Sequence, residues 1–375
     1  MSHQLLVFPT HEFFPQRAGI AVYVEEMARA AVNLGYPAEV WAPAHAELST
    51  VSWPFTVRPL PLKGSLDWTC RLRLWRFWKT QAALTRDAVT VFAEPGPLML
   101  AFYWAWLGQP PLGDYRVVLH GSEILRFTRM PYRKPLFRRF LSGAQKIGCI
   151  STYGQDLLLG HFPELEPRVC LTPGALRHDQ KPSASPPADF ARDPEQPLKV
   201  LTVGAIHPRK GQLAVLDALA CLPDQLKSRL EYCCVGPVTR EIYRQNLIKT
   251  ASRHRIRLTI TGQVDEESLT AHYREATVFV LTSQPRSRSV EGFGLVYLEA
   301  AAAGLPCIGH RVGGVKDAVK ENETGLLVNP GDRQALTEAL QRCLTDPALR
   351  QRLVSAAPAH AASFSWCESL SRLLT

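Results

Sequence analysis

Short apolar runs alternate along the chain with stretches whose apolar positions recur at helical spacing. The first run, "QLLVFP" at 4–9, has the length and composition of a buried strand. After the loop "THEFFPQRAG", residues Ile20, Val24, Met27, Ala28, Ala31 and Leu34 fall on one face of a helix, and Gly35 stands in the usual stop position. "AEVWAP" then predicts a second strand. Strand, helix, strand is a βαβ unit, so the sheet is expected to be parallel. "TVFAEP" (90–95), "RVVLHG" (116–121) and "KIGCIS" (146–151) repeat the pattern. Glu94, His120 and Ser151 sit at their C-terminal ends, the edge of a parallel sheet that faces ligands.

The pattern breaks at 178–197, "HDQKPSASPPADFARDPEQP", where prolines, serines and charges replace the apolar runs. A second βα series follows. Strands are expected at 198–204, 230–236, 257–262, 277–283, 305–310 and 325–330, with helices at 211–222 and 332–346. The expected organisation is an N-terminal α/β domain over 1–178, a linker over 179–197 and a C-terminal α/β domain over 198–355. A last helix, 356–375, is expected to cross back to the first domain. Two successive domains make a cleft between them the default ligand site.

Composition narrows the class without naming it. The 375 residues exceed one compact core, and 46% hydrophobic with 21% charged residues describes a soluble globular chain. No apolar run is long enough to cross a bilayer, and the opening "MSHQLLVFP" lacks the basic leader of a signal peptide. The nine cysteines are scattered with no Cys-x-x-Cys pair, which points to reduced, packed thiols in a cytoplasmic protein. A net charge of +9 implies an acidic partner or surface.

The most informative stretch is "SVEGFGLVYLEAAAAGLP", Ser289 to Pro306. Gly292 and Gly294 let backbone approach a ligand, and the helix that follows presents free N–H groups suited to phosphate. Glu299, inside that helix, can hold ribose hydroxyls, and Glu291, on the loop, those of a second polyol. A diphosphate between two hydroxyl-bearing rings describes a nucleotide-sugar. The alternative is a helix-favouring Glu299 and a solvated Glu291. Spacing and helix logic leave both standing.

"EGFGLVYLEAAAAGLP", with "GGVKDAV" and "TGLLVNPGD", resembles the family 4 glycosyltransferases, retaining enzymes of the GT-B fold. Further matches run in order along nearly the whole chain: "PQRAGIAVYVEEMARAA", "LHGSE", "VGAIHPRKG" and "FSW". The resemblance implies two Rossmann-like parallel-sheet domains facing a central cleft, and transfer of a hexose from a nucleotide-diphosphate sugar to a hydroxyl acceptor. It implies that Glu299 holds the ribose, that Val264 meets the nucleobase, and that Glu291 holds the transferred sugar. Amides at Phe293, Gly294 and Leu295 would face the diphosphate, and Lys210 would neutralise it as it leaves. Arg209 would add a second cation. His120 would stand beside the donor sugar, and Gly19 on a loop passing donor phosphate and acceptor.

The chain also departs from the family pattern. Ala205 stands where an arginine is common, with Arg209 as the candidate substitute. Ala18-Gly19 replaces a glycine pair, and "QPRSRS" (284–289) looks inserted. Around Val264, "TGQVDEE" reads equally well as an ordinary turn into an acidic helix start. No Asp-x-Asp motif follows a strand, so no metal and no cofactor are expected, the nucleotide-sugar being a co-substrate. His3, His11, His45, His161, His254, His272 and His360 show no ligand spacing and are expected mostly at the surface. The basic, aromatic stretches "RFTRMPYRKPLFRRF" (126–140) and "RLRLWRFWK" (71–79) suggest a peripheral role on an anionic membrane surface rather than nucleic-acid binding. Their alternative is aromatics packed inward with cations in water.

Two rival functions remain. One is a nucleotide-sugar isomerase on the same fold, and the other a non-catalytic sugar-nucleotide-binding protein. A dinucleotide-dependent dehydrogenase is unlikely on this chain, since no Gly-x-Gly-x-x-Gly follows the first strand.

Overall fold

In the computed structural model the described residues are 4–15, 18–60, 68–106, 113–180, 197–287 and 289–375. They form two α/β units. Unit 1 comprises Met1–His178 with Ser365–Thr375, and unit 2 comprises Asp179–Phe364. Most of the expected linker, 181–196, lies outside the described residues.

Unit 1 contains β1 (Leu6–Pro9), β2 (Ala38–Pro43), β3 (Thr56–Leu60), β4 (Val89–Phe92), β5 (Asp114–Leu119), β6 (Lys146–Cys149) and β7 (Val169–Leu171). Their order is β3-β2-β1-β4-β5-β6-β7, and every pair is parallel. Leu6 of β1 pairs with Ala38 on one side and Val89 on the other. Such strands are covered on both faces, which is why they read as apolar runs. Val7, Trp41, Phe92 and Phe102 are buried in the core of this unit.

The chain moves outward from β1 through β2 to β3, then returns to place β4 on the other side of β1. The reversal opens a crevice at the C-terminal ends of β1 and β4. The helix Gly19–Asn33 follows β1 and ends at Gly35 as its periodicity predicts. The helix Trp366–Leu374 packs on it. Trp366 sets its ring 5.1 Å from Tyr23 and donates from Nε1 to the carbonyl of Leu176 at 2.8 Å. Ser369 Oγ donates to the carbonyl of Pro173 at 2.8 Å.

Unit 2 contains β8 (Leu198–Val203), β9 (Leu230–Val235), β10 (Arg257–Gly262), β11 (Val278–Leu281), β12 (Cys307–His310) and β13 (Gly325–Val328). The order β10-β9-β8-β11-β12-β13 is again wholly parallel, and it reverses between β8 and β11. Val200 of β8 pairs with Tyr232 and with Val278, and all three are fully buried. The helix Pro347–Ala362 belongs to this unit, so the change of unit falls at Phe364–Ser365 rather than at 356.

Several strands end sooner than the apolar runs suggest: β4 stops at Phe92 rather than 95, and β5 at Leu119 rather than 121. The residues just beyond carry polar side chains that turn to other partners. β3 and β7 are additions to the expected set. They lie at the two edges of the sheet, where "TVRPL" is half polar and "VCL" very short.

The basic, aromatic stretches resolve largely into helices with inward-facing rings. Phe127, Phe137 and Phe140 are buried together, with the Phe127 and Phe137 rings 4.7 Å apart, while Tyr132 is 61% exposed. Trp78 packs against Trp41 at 5.1 Å. No helix of the described residues is long and apolar enough to cross a membrane, and all nine cysteines are free thiols.

Candidate active site

In unit 2 the loops leaving β8 and β11 are stitched together at the reversal. His207 accepts from the Arg209 amide at 3.0 Å and so opens the single turn Pro208–Lys210. Gln284 N donates to the Arg209 carbonyl at 2.7 Å, and Thr282 Oγ1 donates to the Gly211 carbonyl at 2.8 Å. Gly211 has φ +74°, and a Cβ there would stand 2.0 Å from the Thr282 carbonyl oxygen. Only glycine fits both the left-handed backbone and the contact.

This stitching delivers three donors to one carboxylate. Lys210 Nζ donates to Glu291 Oε1 and Oε2 at 3.1 and 2.9 Å. Arg209 Nη1 donates to Oε2 at 3.3 Å, and Ser283 Oγ donates to the same oxygen at 2.6 Å. The Glu291 side chain is only 10% exposed and that of Lys210 15%. Burial alone would raise the Glu291 pKa. The charges of Lys210 and Arg209, with the Ser283 hydrogen bond, outweigh it and bring the pKa down to about 2.

The Glu291 backbone is fixed as well. Its carbonyl accepts from Gly314 N at 3.0 Å, and Gly313, at φ +54°, passes so close that a Cβ would lie 2.1 Å from that oxygen. His310, buried at the end of β12, places Nδ1 3.1 Å from the Ser283 carbonyl.

The helix Leu295–Ala302 begins two residues after the buried Phe293. Its N-cap is Gly294, at φ +92°, and no side chain caps it. The Tyr297 amide turns back to the Gly294 carbonyl at 3.0 Å, which leaves the amides of Leu295 and Val296 without an acceptor in their own helix. Glu299 is half-buried, and Tyr273 Oη donates to its Oε2 at 2.8 Å. Burial, and then the neighbouring Glu299 charge, push the Tyr273 phenol well above its ordinary pKa, so it keeps the proton it donates.

Val264 is half-buried two residues beyond the end of β10. The adjacent Asp265 caps the next helix through Ser268 N at 2.8 Å, the ordinary helix start that the sequence allowed. Ala205 offers its carbonyl to Gln212 Nε2 at 2.9 Å. Arg286 is exposed, and Arg288 lies outside the described residues.

Unit 2 thus brings Glu291, Lys210, Arg209, Phe293, Gly294 and Leu295 into one neighbourhood, with Glu299 further along the same helix. His120 and Gly19 belong to unit 1. His120 is half-buried after β5. Its Nε2 lies 2.9 Å from the Ala93 carbonyl, and its amide donates to Glu123 Oε2 at 2.9 Å. Gly19 opens the first helix, and a Cβ on it would meet nothing within 4 Å.

One cluster escaped sequence reading. His11, expected at the surface with most other histidines, is 8% exposed, and His360 is 9% exposed. The imidazole Nδ1 of His11 pairs with Oε2 of the fully buried Glu94, which also accepts from His11 N at 3.0 Å. Burial disfavours the His11 cation, but the hydrogen bond and charge of Glu94 win and its pKa is raised. Glu12 is also raised, by burial first and against the pull of His11 and His120. The available signal was Glu94 itself, an acid closing an apolar strand with no cation beside it in sequence.

Among the described residues, Glu25, Glu26 and His178 form the one trio close enough to share a metal ion. Glu25 is engaged by Arg29 at 2.9 Å, and Glu26 by His178 at 2.7 Å.

A carboxylate ringed by cations at a sheet reversal, beside an uncapped helix start, suits a sugar diphosphate. Comparison with known proteins decides the family. The profile of the Glycosyl transferases group 1 family matches residues 189–360, and that of Glycosyltransferase Family 4 matches residues 17–176. The chain belongs to this glycosyltransferase family.

The glycosyltransferase is 29% identical over 369 residues to a GDP-mannose-dependent alpha-(1-6)-phosphatidylinositol monomannoside mannosyltransferase of Mycobacterium tuberculosis, covering 92% of this chain and 90% of that one. It is 36% identical over 180 residues, 46% of this chain and 41% of the other, to the D-inositol 3-phosphate glycosyltransferase of Corynebacterium glutamicum. Among solved structures, Anabaena HepE in complex with UDP and glucose superposes with a TM-score of 0.76 at 18% identity, over 99% of this chain and 98% of that one. The sucrose-phosphate synthase of Thermosynechococcus elongatus does so with a TM-score of 0.74 at 22% identity, over 99% and 97%. The two parallel-sheet units of the glycosyltransferase are those of the GT-B fold.

Proposed function

We propose that the enzyme transfers a hexose from a nucleotide-diphosphate sugar to a hydroxyl acceptor with retention of anomeric configuration and without a metal ion or cofactor. The observation that carries this reading is the convergence of Lys210, Arg209 and Ser283 on Glu291 at the β8–β11 reversal.

In the absence of donor, Glu291 keeps both cations in place. When donor arrives, its diphosphate takes up Lys210, Arg209 and the free amides at Gly294 and Leu295, and Glu291 turns to hydroxyls of the sugar. Glu299, held by Tyr273, receives the ribose, and Val264 lines the nucleobase. His120 and Gly19 of unit 1 keep the roles that the family resemblance implies. As the glycosidic bond breaks, negative charge grows on the departing diphosphate, where Lys210 and Arg209 supply the charge a divalent ion would otherwise supply.

With Glu291 turned to sugar hydroxyls, no carboxylate is set as a covalent nucleophile, which favours front-face attack with the departing phosphate taking the acceptor proton. The mannosyltransferase relative, matched over 92% of this chain, makes GDP-mannose the first donor to test, with UDP-glucose second. The acceptor is a glycan, a lipid-linked glycan or a lipid, and the basic surface of unit 1 suits work at an anionic membrane on the cytoplasmic side.

The test is a thermal-shift panel of nucleotide-sugars, followed by transfer with the donor that raises the melting temperature. Product should carry the donor's anomeric configuration by NMR, and EDTA should leave the rate unchanged. Inverted product would overturn retention, and loss of rate in EDTA would overturn metal independence. New sugar isomers formed from donor alone would favour an isomerase.

A further inference from the structure

The second reversal, at the C-terminal ends of β1 and β4, holds a set of side chains to which the transfer mechanism gives no role. Glu94 is fully buried and fully engaged. Oε2 receives the His11 amide and Nδ1, and Oε1 receives Gly96 N at 2.7 Å. A carboxylate so placed fixes both the tautomer and the direction of the ring it holds.

The loop carrying His11 is fixed from its other side too. Thr10 Oγ1 donates to the Glu12 carbonyl at 2.7 Å and accepts from Glu12 N at 3.1 Å, and the Phe13 ring packs 5.2 Å from Trp53. With Nδ1 committed, Nε2 is the free corner of the ring. Its nearest charged neighbour is Glu12 Oε1 at 3.8 Å, beyond hydrogen-bond reach. His120 follows β5, the next strand over, and is close enough to act on the Glu12 charge.

We propose that His11 contacts the glycosyl acceptor, its Nε2 accepting a hydrogen bond from a hydroxyl of a neutral polyol, and that Glu94 is the positioning residue that aims it. This rests on the transferase reading above. Three features support it. The pair sits at the reversal, where open parallel sheets receive ligands. Glu94 leaves the ring one usable atom. Glu12 stands 3.8 Å from that atom and Glu94 behind the ring, and their negative charge favours hydroxyls and repels an anionic group.

The test uses the full chain with the donor found by the thermal-shift panel. Methyl α-mannopyranoside and myo-inositol serve as neutral acceptor probes, and myo-inositol 1-phosphate as the anionic one. His11→Gln should lower acceptor kcat/KM by about 10- to 100-fold, the loss of one hydrogen bond to a fixed polar group, with the donor thermal shift unchanged. Glu94→Gln keeps a hydrogen-bond partner but removes the charge. Of the charges acting on the ring, Glu12 remains, and His120 acts in turn on Glu12. The limb on which acceptor kcat/KM rises with pH, as Nε2 loses its proton, should therefore move down by about one unit. A merely structural tie between the two loops would lower stability and leave that limb in place, overturning the proposal. So would a preference for the anionic probe.

Failure of donor to bind the wild type would count against the transferase reading itself. Titration of methyl α-mannopyranoside into 15N-histidine-labelled protein separates the two. A shift of His11 Nε2 that Glu94→Gln weakens supports the site whatever the donor does, and an unmoved resonance at saturating polyol overturns it.

Discussion

The two sheets reverse at equivalent places and fill those places with opposite chemistry. In unit 2 the crevice between β8 and β11 gathers two cations and a hydroxyl around one acid, Glu291. In unit 1 the crevice between β1 and β4 sets a buried acid, Glu94, behind one histidine with a second acid beside it. Strand order decides where a ligand can sit, and the loop residues after each strand decide which ligand is welcome. A cation-rich crevice suits a diphosphate, and an acid-rich one suits hydroxyls.

The sharpest break of this contrast is Lys210→Ala. Removing the cation proposed to meet developing phosphate charge should cost about 10²- to 10³-fold in kcat, and it should also lower thermal stability because the buried Glu291 loses its main partner. A loss below tenfold in single-turnover transfer would mean that the cations serve Glu291 alone.

Next in size is Gly211→Ala. The left-handed backbone and the Thr282 carbonyl both resist a Cβ, so a loss of about 2 kcal/mol or more is expected. Hydrogen exchange should show it along β8 and β11, with β1 and β4 protected as before. Tyr273→Phe deletes one hydrogen bond to Glu299 and should weaken nucleotide binding by about fivefold in calorimetry.

The effect of pH has opposite signs in the two crevices. Glu291 is depressed from 4.5 to about 2, so its stabilisation is present above pH 4.5 and is lost as pH falls toward 2. His11 is raised above 6.5, so its stabilisation is complete below that pH and is lost as pH climbs through the raised value. Urea midpoints of Glu291→Gln should approach wild type on acidification, and those of His11→Gln on alkalinisation. Parallel behaviour of the two variants would contradict the opposed shifts.

The legibility of the molecule follows the same division. Parallel strands buried on both faces announce themselves as apolar runs, so β1, β2, β4 to β6 and β8 to β13 could be read directly. The edge strands β3 and β7 could not, because one is half polar and the other has only three residues. Glu291 was legible from the glycine-flanked turn that precedes a helix, whereas Lys210 and Arg209 were singled out by the resemblance of "VGAIHPRKG" to a family motif. What could not be read was that Glu291 pairs with both cations.

The His11–Glu94 pair was hidden for a different reason. It joins positions 83 apart, and a lone histidine in a loop carries no spacing signal. Phe137 and Phe140, three apart on a helix, bear the mark of the inward face that the sequence offered as the alternative for this stretch.

The closing helix Trp366–Leu374 has a consequence for how the chain is made. Unit 2 is continuous in sequence, whereas unit 1 receives its last helix from the final eleven residues, Ser365–Thr375. On the ribosome, the unit encoded second holds all its parts first. Domains commonly mature in order of synthesis from the N-terminus. Here the first-encoded sheet must wait, with the surface around Tyr23 and Leu176 uncovered, until Ser365–Thr375 have been made.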